Sequence, residues 1–225
     1  KPSSAASDVY KRQGQDNKET RATALLFTPK TVAPAKGWPI VVWAHGTTGV
    51  ADICAPSKSS MDPDVKSMIN ELLSAGYVVV APDYEGLGEP SGTEAHPYLN
   101  LKSEAFSITD AVVATRDYLT KQGKSVSKNW VTVGHSQGGH AALGAGEYQS
   151  RAQLDYKGTV AIAPASNLKT IFQVGAASVA NLPATQQVAT YTSLNTYAAL
   201  ITAGMQNPPN ITLYGQVLSL IHISE

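Results

Sequence analysis

The residues best suited to chemistry lie in Gly134-His135-Ser136-Gln137-Gly138, between the apolar run Trp130-Val131-Thr132-Val133 and the small-residue segment Gly139-His140-Ala141-Ala142-Leu143-Gly144. A strand, a tight turn and a helix in that order lift the serine hydroxyl above the strand end. The positions two before and two after the serine must then be almost free of side chain. Gly134 and Gly138 occupy them, so Ser136 is the candidate nucleophile for acyl transfer, and the amide of Gln137 is aimed where an oxyanion would form. A second glycine-rich loop, His45-Gly46-Thr47-Thr48-Gly49, leaves the end of an earlier apolar run. Such a loop supplies the other oxyanion amide, from Thr48 or from Thr47, with the sequence leaving the choice between them open. The alternative is an ordinary turn whose threonines bond to nearby backbone.

These residues need a sheet to hold them. Residues 21–28 alternate as a strand, residues 39–44 and 77–82 are continuous apolar runs of the kind buried on both faces of a parallel sheet, and residues 158–164 give one more strand. Asp62-Pro63 begins a helix that carries Val65, Met68, Ile69, Leu72 and Leu73 on one face and stops at Gly76. Leu101–Lys121 reads as a long helix with Ala105, Ile108, Val112, Thr115 and Leu119 at helical spacing. Strand and helix in alternation predict an α/β architecture with a mostly parallel, doubly wound sheet. From residue 166 the pattern changes to alanine-, threonine- and asparagine-rich helical pieces broken at Gly175, Pro183 and Gly204, the beginning of a cap or lid insertion. Asp83, Glu85 and His96 stand at strand ends, where they are candidates for acid–base work or, on the blander reading, anchors of loop backbone; Asn210-Ile211-Thr212 fits a glycosylation sequon weakly.

Composition narrows the function. Of 225 residues, 43% are hydrophobic and 15% charged, as in a globular domain, and 17 basic residues balance 17 acidic ones. A neutral chain gathers no nucleic acid, and an uncharged small-molecule substrate suits it better. No stretch is long and apolar enough to span a membrane, and no metal-ligand cluster or phosphate-binding loop is visible, so no cofactor or metal is expected. The two ends read differently from the rest. Residues 3–13, SSAASDVYKRQ, and 218–225, LSLIHISE, read like translations of the two adapters of a sequencing-library pair. The division expected is therefore a foreign segment 1–13, a core 14–165, the start of a cap 166–217 and a second foreign segment 218–225.

Three motifs taken together, WAHGTTGVADICAPS, APDYEGLG followed by HPYL, and GHSQGGHAAL, resemble the secretory lipase family, the lipase A-like branch of the α/β-hydrolases. The resemblance covers most of residues 14–164. It implies an α/β-hydrolase fold, here its N-terminal half with the start of a helical cap near Leu168, and hydrolysis of carboxylic esters, including acylglycerols, by a Ser-Asp-His triad. On that resemblance Ser136 is the nucleophile, Gln137 gives one oxyanion amide and the Thr47-Thr48 loop the other. It also implies a secreted or cell-envelope protein whose cap touches a lipid interface transiently, and a disulfide from Cys54 to a cysteine of the cap; a buried free thiol is the competing reading of Cys54.

One feature departs from that family. In α/β-hydrolases the acid and the histidine follow the nucleophile in the chain, and residues 137–217 offer as aspartate and histidine Asp155 and His140. His140 sits one helical turn past Ser136 with its ring carried away, and Asp155 is expected in the loop before the next strand. The triad partners are therefore expected beyond Val217, the strand at 158–164 is expected to leave an open sheet edge, and the chain alone is expected to turn over no ester. A peptidase or thioesterase of the same fold, or a non-catalytic interaction module built on it, are the other readings. Sequencing the parent locus from unfragmented DNA should show native coding sequence that diverges from LSLIHISE after Val217; a locus running through Ser219-Leu220-Ile221-His222 as written would overturn the division proposed.

Overall fold

Ile40-Val41-Val42 and Val78-Val79-Val80 contain no polar position, and in the computed structural model both are strands covered on both faces. The structure describes residues 6–14, 19–88, 92 and 94–205, residues 6–13 by their backbone alone. In chain order the elements are β1 (Ala6–Gln13), β2 (Glu19–Phe27), β3 (Trp38–Ala44), α1 (Pro63–Ser74), β4 (Val78–Pro82), α2 (Leu101–Lys121), β5 (Val126–His135), α3 (Gln137–Glu147), β6 (Asp155–Ile162), α4 (Leu168–Val179) and α5 (Ala184–Gly204). The sheet runs β1-β2-β4-β3-β5-β6. Pairs β4–β3, β3–β5 and β5–β6 are parallel, and β1–β2 and β2–β4 antiparallel. This is the α/β, mostly parallel arrangement expected.

The two-residue period of the strands sorts their side chains into two cores. Ile40, Val42, Val78 and Val80 pack with Ile108, Val112 and Leu119 of α2 and with Ala141 and Ala145 of α3 on one face. Val41, Trp43, Val79 and Ala81 pack with Ile69 and Leu73 of α1 on the other. Burying a side chain of this size is worth about 1.5–3 kcal/mol. The five α2 positions named from their spacing are all buried. Gly76, in the left-handed region at φ 88°, ends the turn after α1, as its position past the last apolar residue of that face predicts.

At Asp155 and Gly175 the fold differs from the sequence expectation, and at the two edges of the sheet it adds to it. Residues 6–13, read as foreign, run as β1 against β2; a backbone ladder forms through N–H and C=O groups that every sequence carries. Asp155 is not in a loop but opens β6, because Asn129 and Trp130 of β5 pair with Asp155 and Tyr156. Strand β6 is only half covered: among the described residues it pairs with β5 alone, and Val160 and Ile162, two residues apart on one face, are 52% and 48% exposed. Its apolar run therefore sits at an edge, as the open-edge expectation required. Gly175 does not break the cap helix. It lies inside α4, where a Cβ would stand 3.9 Å from the Leu194 methyl groups of α5, an ordinary contact distance that an alanine would fill without strain. Pro183 and Gly204 do bound α5. Residues 206–217, the Asn210 sequon and the segment 218–225 lie outside the described residues.

Helix α1 gives a direct check on local structure. Asp62 Oδ1 accepts from the amides of Asp64 and Val65 at 2.9 and 3.2 Å, with Pro63 at the first helical position. Asp62→Ala should cost about 1 kcal/mol in urea unfolding of the protein; an unchanged midpoint would show that Asp62 does not cap the helix.

Candidate active site

Ser136 is the residue just before α3 and has φ 58° and ψ −119°. A non-glycine residue rarely holds that backbone conformation, and the cost is on the order of 1–3 kcal/mol. Its own peptide groups are tied down: Ser136 N–H donates to Ile162 O at 2.9 Å, and Ser136 O accepts from the amides of His140 and Ala165, both at 3.1 Å. The neighbouring glycines are required by space. A Cβ on Gly134 would overlap the Gly138 carbonyl, and one on Gly138 would overlap the Ala44 carbonyl. One on Gly139 would come within 2.8 Å of Ile162 O. Strands β3 and β5 and helix α3 thus meet backbone to backbone, and Ser136 is left half-buried at the carboxyl end of the sheet.

Because Ala44 and Gly134 are paired in register, the loop leaving β3 arrives beside the serine. A Cβ on Gly46 would stand 3.8 Å from Ser136 Cβ. The His45 ring is buried and its Nδ1 lies 2.7 Å from Gly46 O, which makes Nδ1 the protonated nitrogen. A trans peptide puts its N–H opposite its carbonyl, so holding Gly46 O at the ring turns the Thr47 amide away from it. Thr47 Oγ1 shares a hydrogen bond of 2.7 Å with Tyr98 OH, while Thr48 is exposed in the same loop. Beneath the loop His45, Tyr84, His96 and Tyr98 form a row of rings with centroids 4.2, 6.1 and 6.0 Å apart. Tyr84 OH donates to His45 O at 2.9 Å. Burial, with a smaller repulsion from His96, lowers the His45 pKa from 6.5 to about 4. Its Nε2 meets no hydrogen-bond acceptor among the described residues, so a proton placed there would be buried unpaired.

A buried polar chain continues from this row to α3. His96 Nδ1 donates to Glu85 O at 2.6 Å, and its Nε2 accepts from Gln137 Nε2 at 3.1 Å. Gln137 Nε2 also donates to Glu104 Oε1 at 2.9 Å, and His140 Nδ1 donates to Glu104 Oε2 at 2.7 Å. Glu104 is fully buried, and desolvation raises its pKa against the opposing pull of His140 and Gln137. Ser103 Oγ donates to Glu85 Oε2. Asp83 accepts from Thr23 Oγ1 and from the Ser57 amide, pinning the loop after Cys54. Asp83, Glu85 and His96 are therefore built into the scaffold, in keeping with the anchoring reading. Cys54 is a partly buried free thiol beside Gly49.

Of the four candidate site residues, Ser136 and Gln137 lie on one turn, and Thr47 and Thr48 are brought beside them by β3. Among the described residues no histidine bonds to Ser136 Oγ; His140 is held by Glu104 instead, and Asp155 is exposed at the far edge of the sheet. No group of three His, Cys, Asp or Glu among the described residues is placed to hold a metal. Glu104 and Tyr98 were not singled out as site residues from the sequence. Glu104 had a legible signal: it stands four residues before Ile108 on the apolar stripe of α2, where a carboxylate needs a partner.

A glycine-flanked serine turn of this geometry on this sheet points to an α/β-hydrolase, and the chain belongs to the Alpha/beta hydrolase family, whose sequence pattern matches residues 41–218. Among solved structures it is similar to the rice cell wall degrading esterase LipA from Xanthomonas oryzae, with TM-score 0.60 and 24% identity over 76% of this chain and 45% of that one. It is similar too to Candida antarctica lipase A in its closed state, with TM-score 0.54 and 23% identity over 69% of this chain and 37% of that one. The chain spans less than half the length of either, and at these identities the likeness speaks for the fold. No curated protein matches it.

The His45 site generates a pH prediction. Between pH 6.5 and about 4 the unfolded chain binds a proton at this position and the folded chain does not, so stability falls as pH falls through that window. The loss from His45 alone should be about 3 kcal/mol. His45→Asn keeps a donor for Gly46 O and cannot titrate. Urea unfolding at pH 7, 6, 5 and 4 should give a wild-type curve that steepens downward relative to the variant; parallel curves would remove His45 from that role. The comparison is needed because Asp83 and Glu104, whose pKa values are raised, act with the opposite sign.

Proposed function

We propose that the protein is a serine carboxylic-ester hydrolase, of lipase or esterase type, which works through an acyl-enzyme on Ser136. The observation that carries this reading is the backbone of Ser136, at φ 58° and ψ −119° between two glycines that admit no side chain. Strain of that kind persists only where packing enforces it, and it serves to present a hydroxyl. Ser136 Oγ attacks the ester carbonyl as a histidine takes its proton; the alcohol leaves with that proton, and water then releases the acid. The amides of Gln137 and Thr47 hold the oxyanion. Thr47 is preferred to Thr48 because its N–H is the one turned out by the His45–Gly46 contact. The histidine and its carboxylate are expected beyond Val217, and residues 14–217 alone are then expected to turn over no ester.

The substrate is a small neutral ester or an acylglycerol. Among the described residues no helix is long and apolar enough to cross a membrane. The α4–α5 cap exposes Ile171, Val174 and Val188, apolar groups suited to brief contact with a lipid interface. Similarity to an esterase named for degrading rice cell wall supports a secreted or cell-envelope location for this protein.

In the full-length protein a fluorophosphonate probe should label Ser136, and Ser136→Ala should abolish both labelling and ester hydrolysis, with a loss on the order of 10⁴-fold or more, while leaving the unfolding midpoint near the wild-type value. A panel of ester, thioester and amide substrates should show preference for esters; amide or thioester preference would assign a peptidase or thioesterase instead. Absence of labelling in folded protein would favour a non-catalytic interaction module.

A further inference from the structure

We infer that Tyr98 is a positioning residue for ester hydrolysis: its hydroxyl pins Thr47 of the oxyanion loop, and its main chain seats the end of cap helix α5, so that loop and cap are held by one residue. The inference rests on the proposed reaction at Ser136. Residues 45–49 belong to no helix or strand, so the direction of the Thr47 amide depends on what grips the residues around it. Two grips are present. His45 Nδ1 holds the carbonyl of Gly46 from below, and Tyr98 OH holds Thr47 Oγ1 at 2.7 Å.

Tyr98 is itself fixed. It is 6% exposed, its ring meets His96 edge-on, and its amide donates to His96 O at 2.9 Å. It follows Pro97, whose ring locks φ, and precedes Leu99, which is in the left-handed region at φ 58°. Burial raises the pKa of the phenol, so the hydroxyl stays protonated at working pH. Against the main chain of Tyr98 lies Gly204, the last residue of α5. A Cβ there would stand 2.5 Å from Tyr98 N and 2.8 Å from Tyr98 Cβ, so only glycine lets the helix end seat. A path of direct contacts thus runs from α5 through Tyr98 to Thr47, whose neighbour Gly46 lies beside Ser136, a Cβ added there standing 3.8 Å from Ser136 Cβ.

An oxyanion donor acts over a narrow range of distance, and losing one altogether costs on the order of 10²–10³ in rate. Loosening Thr47 forfeits part of that. In the full-length protein Tyr98→Phe should lower kcat about tenfold or more with KM changed by less than about twofold, since the ground-state ester makes little use of the hole. Thr47→Val should do the same, and the double variant should be no worse than the poorer single one. Gly204→Ala should lower kcat in the wild-type background and have little further effect in the Tyr98→Phe background. Unchanged kcat in Tyr98→Phe, additive losses in the double variant, or a rise in KM alone would overturn the inference. If Tyr98→Phe fails to fold, unchanged kcat in Thr47→Val overturns it just as well. Wild-type protein that neither labels at Ser136 nor hydrolyses esters would instead overturn the reading of function, and this inference with it.

Discussion

The contact on which everything else depends is the approach of three backbones at the end of the sheet. Gly134 of β5 lies against Gly138 of α3, and Gly138 lies against Ala44 of β3, with no room for a β-carbon at either glycine. That approach forces Ser136 into a conformation that its own side chain resists. The strain is offset by the hydrogen bonds that its peptide groups make to Ile162, His140 and Ala165. It also sets the neighbourhood: since Ala44 and Gly134 are in register, the residues after Ala44 have nowhere to go but alongside the serine. Ser136 and the candidate oxyanion loop are juxtaposed by sheet register, and neither carries the information alone.

Below that contact the protein buries an unusual set of polar groups. Glu104, His96, Gln137 and His45 are each almost or wholly removed from solvent. Leaving any of them unpaired would cost on the order of 1–3 kcal/mol or more, and a buried charge without a partner more still. The chain answers with directional contacts. His96 is forced into one tautomer by Glu85 O and receives Gln137; Glu104 takes Gln137 and His140 together. Three of these side chains come from the turn that carries the nucleophile or from the helix packed on it. A network with each tautomer assigned resists the sliding of α3 against α2 that an apolar contact of equal area would allow. The cap is held differently. Its two helices carry apolar groups on open faces, and its seat on the core at Tyr98 is a contact of glycine with backbone.

The order and type of the elements, and the strained turn at Ser136, were legible in the amino-acid sequence. Unbroken valine runs, a proline-initiated helix and the α2 stripe are local patterns, and each appears where its period places it. The elbow was legible for the same reason, since two glycines around one serine encode a steric requirement within five residues. Tertiary structure decided the rest. Whether an apolar run is central or at an edge depends on which strands lie beside it, and β6, which pairs with β5 alone among the described residues, stands half open. Asp155 belongs to β6 because β5 reaches far enough to pair with it, a fact of register that spacing does not contain. Gly175 was read as a breaker, but it lies inside α4 with Leu194 of α5 across from it, a pairing of helices that the residue type does not encode. The partners of Glu104, the grip of His45 on Gly46 and the hydroxyl of Tyr98 on Thr47 join residues one to fifty-one apart, and only the folded chain sets which of them meet, because hydrogen bonds of this kind are satisfied by position in space and leave no period in the sequence.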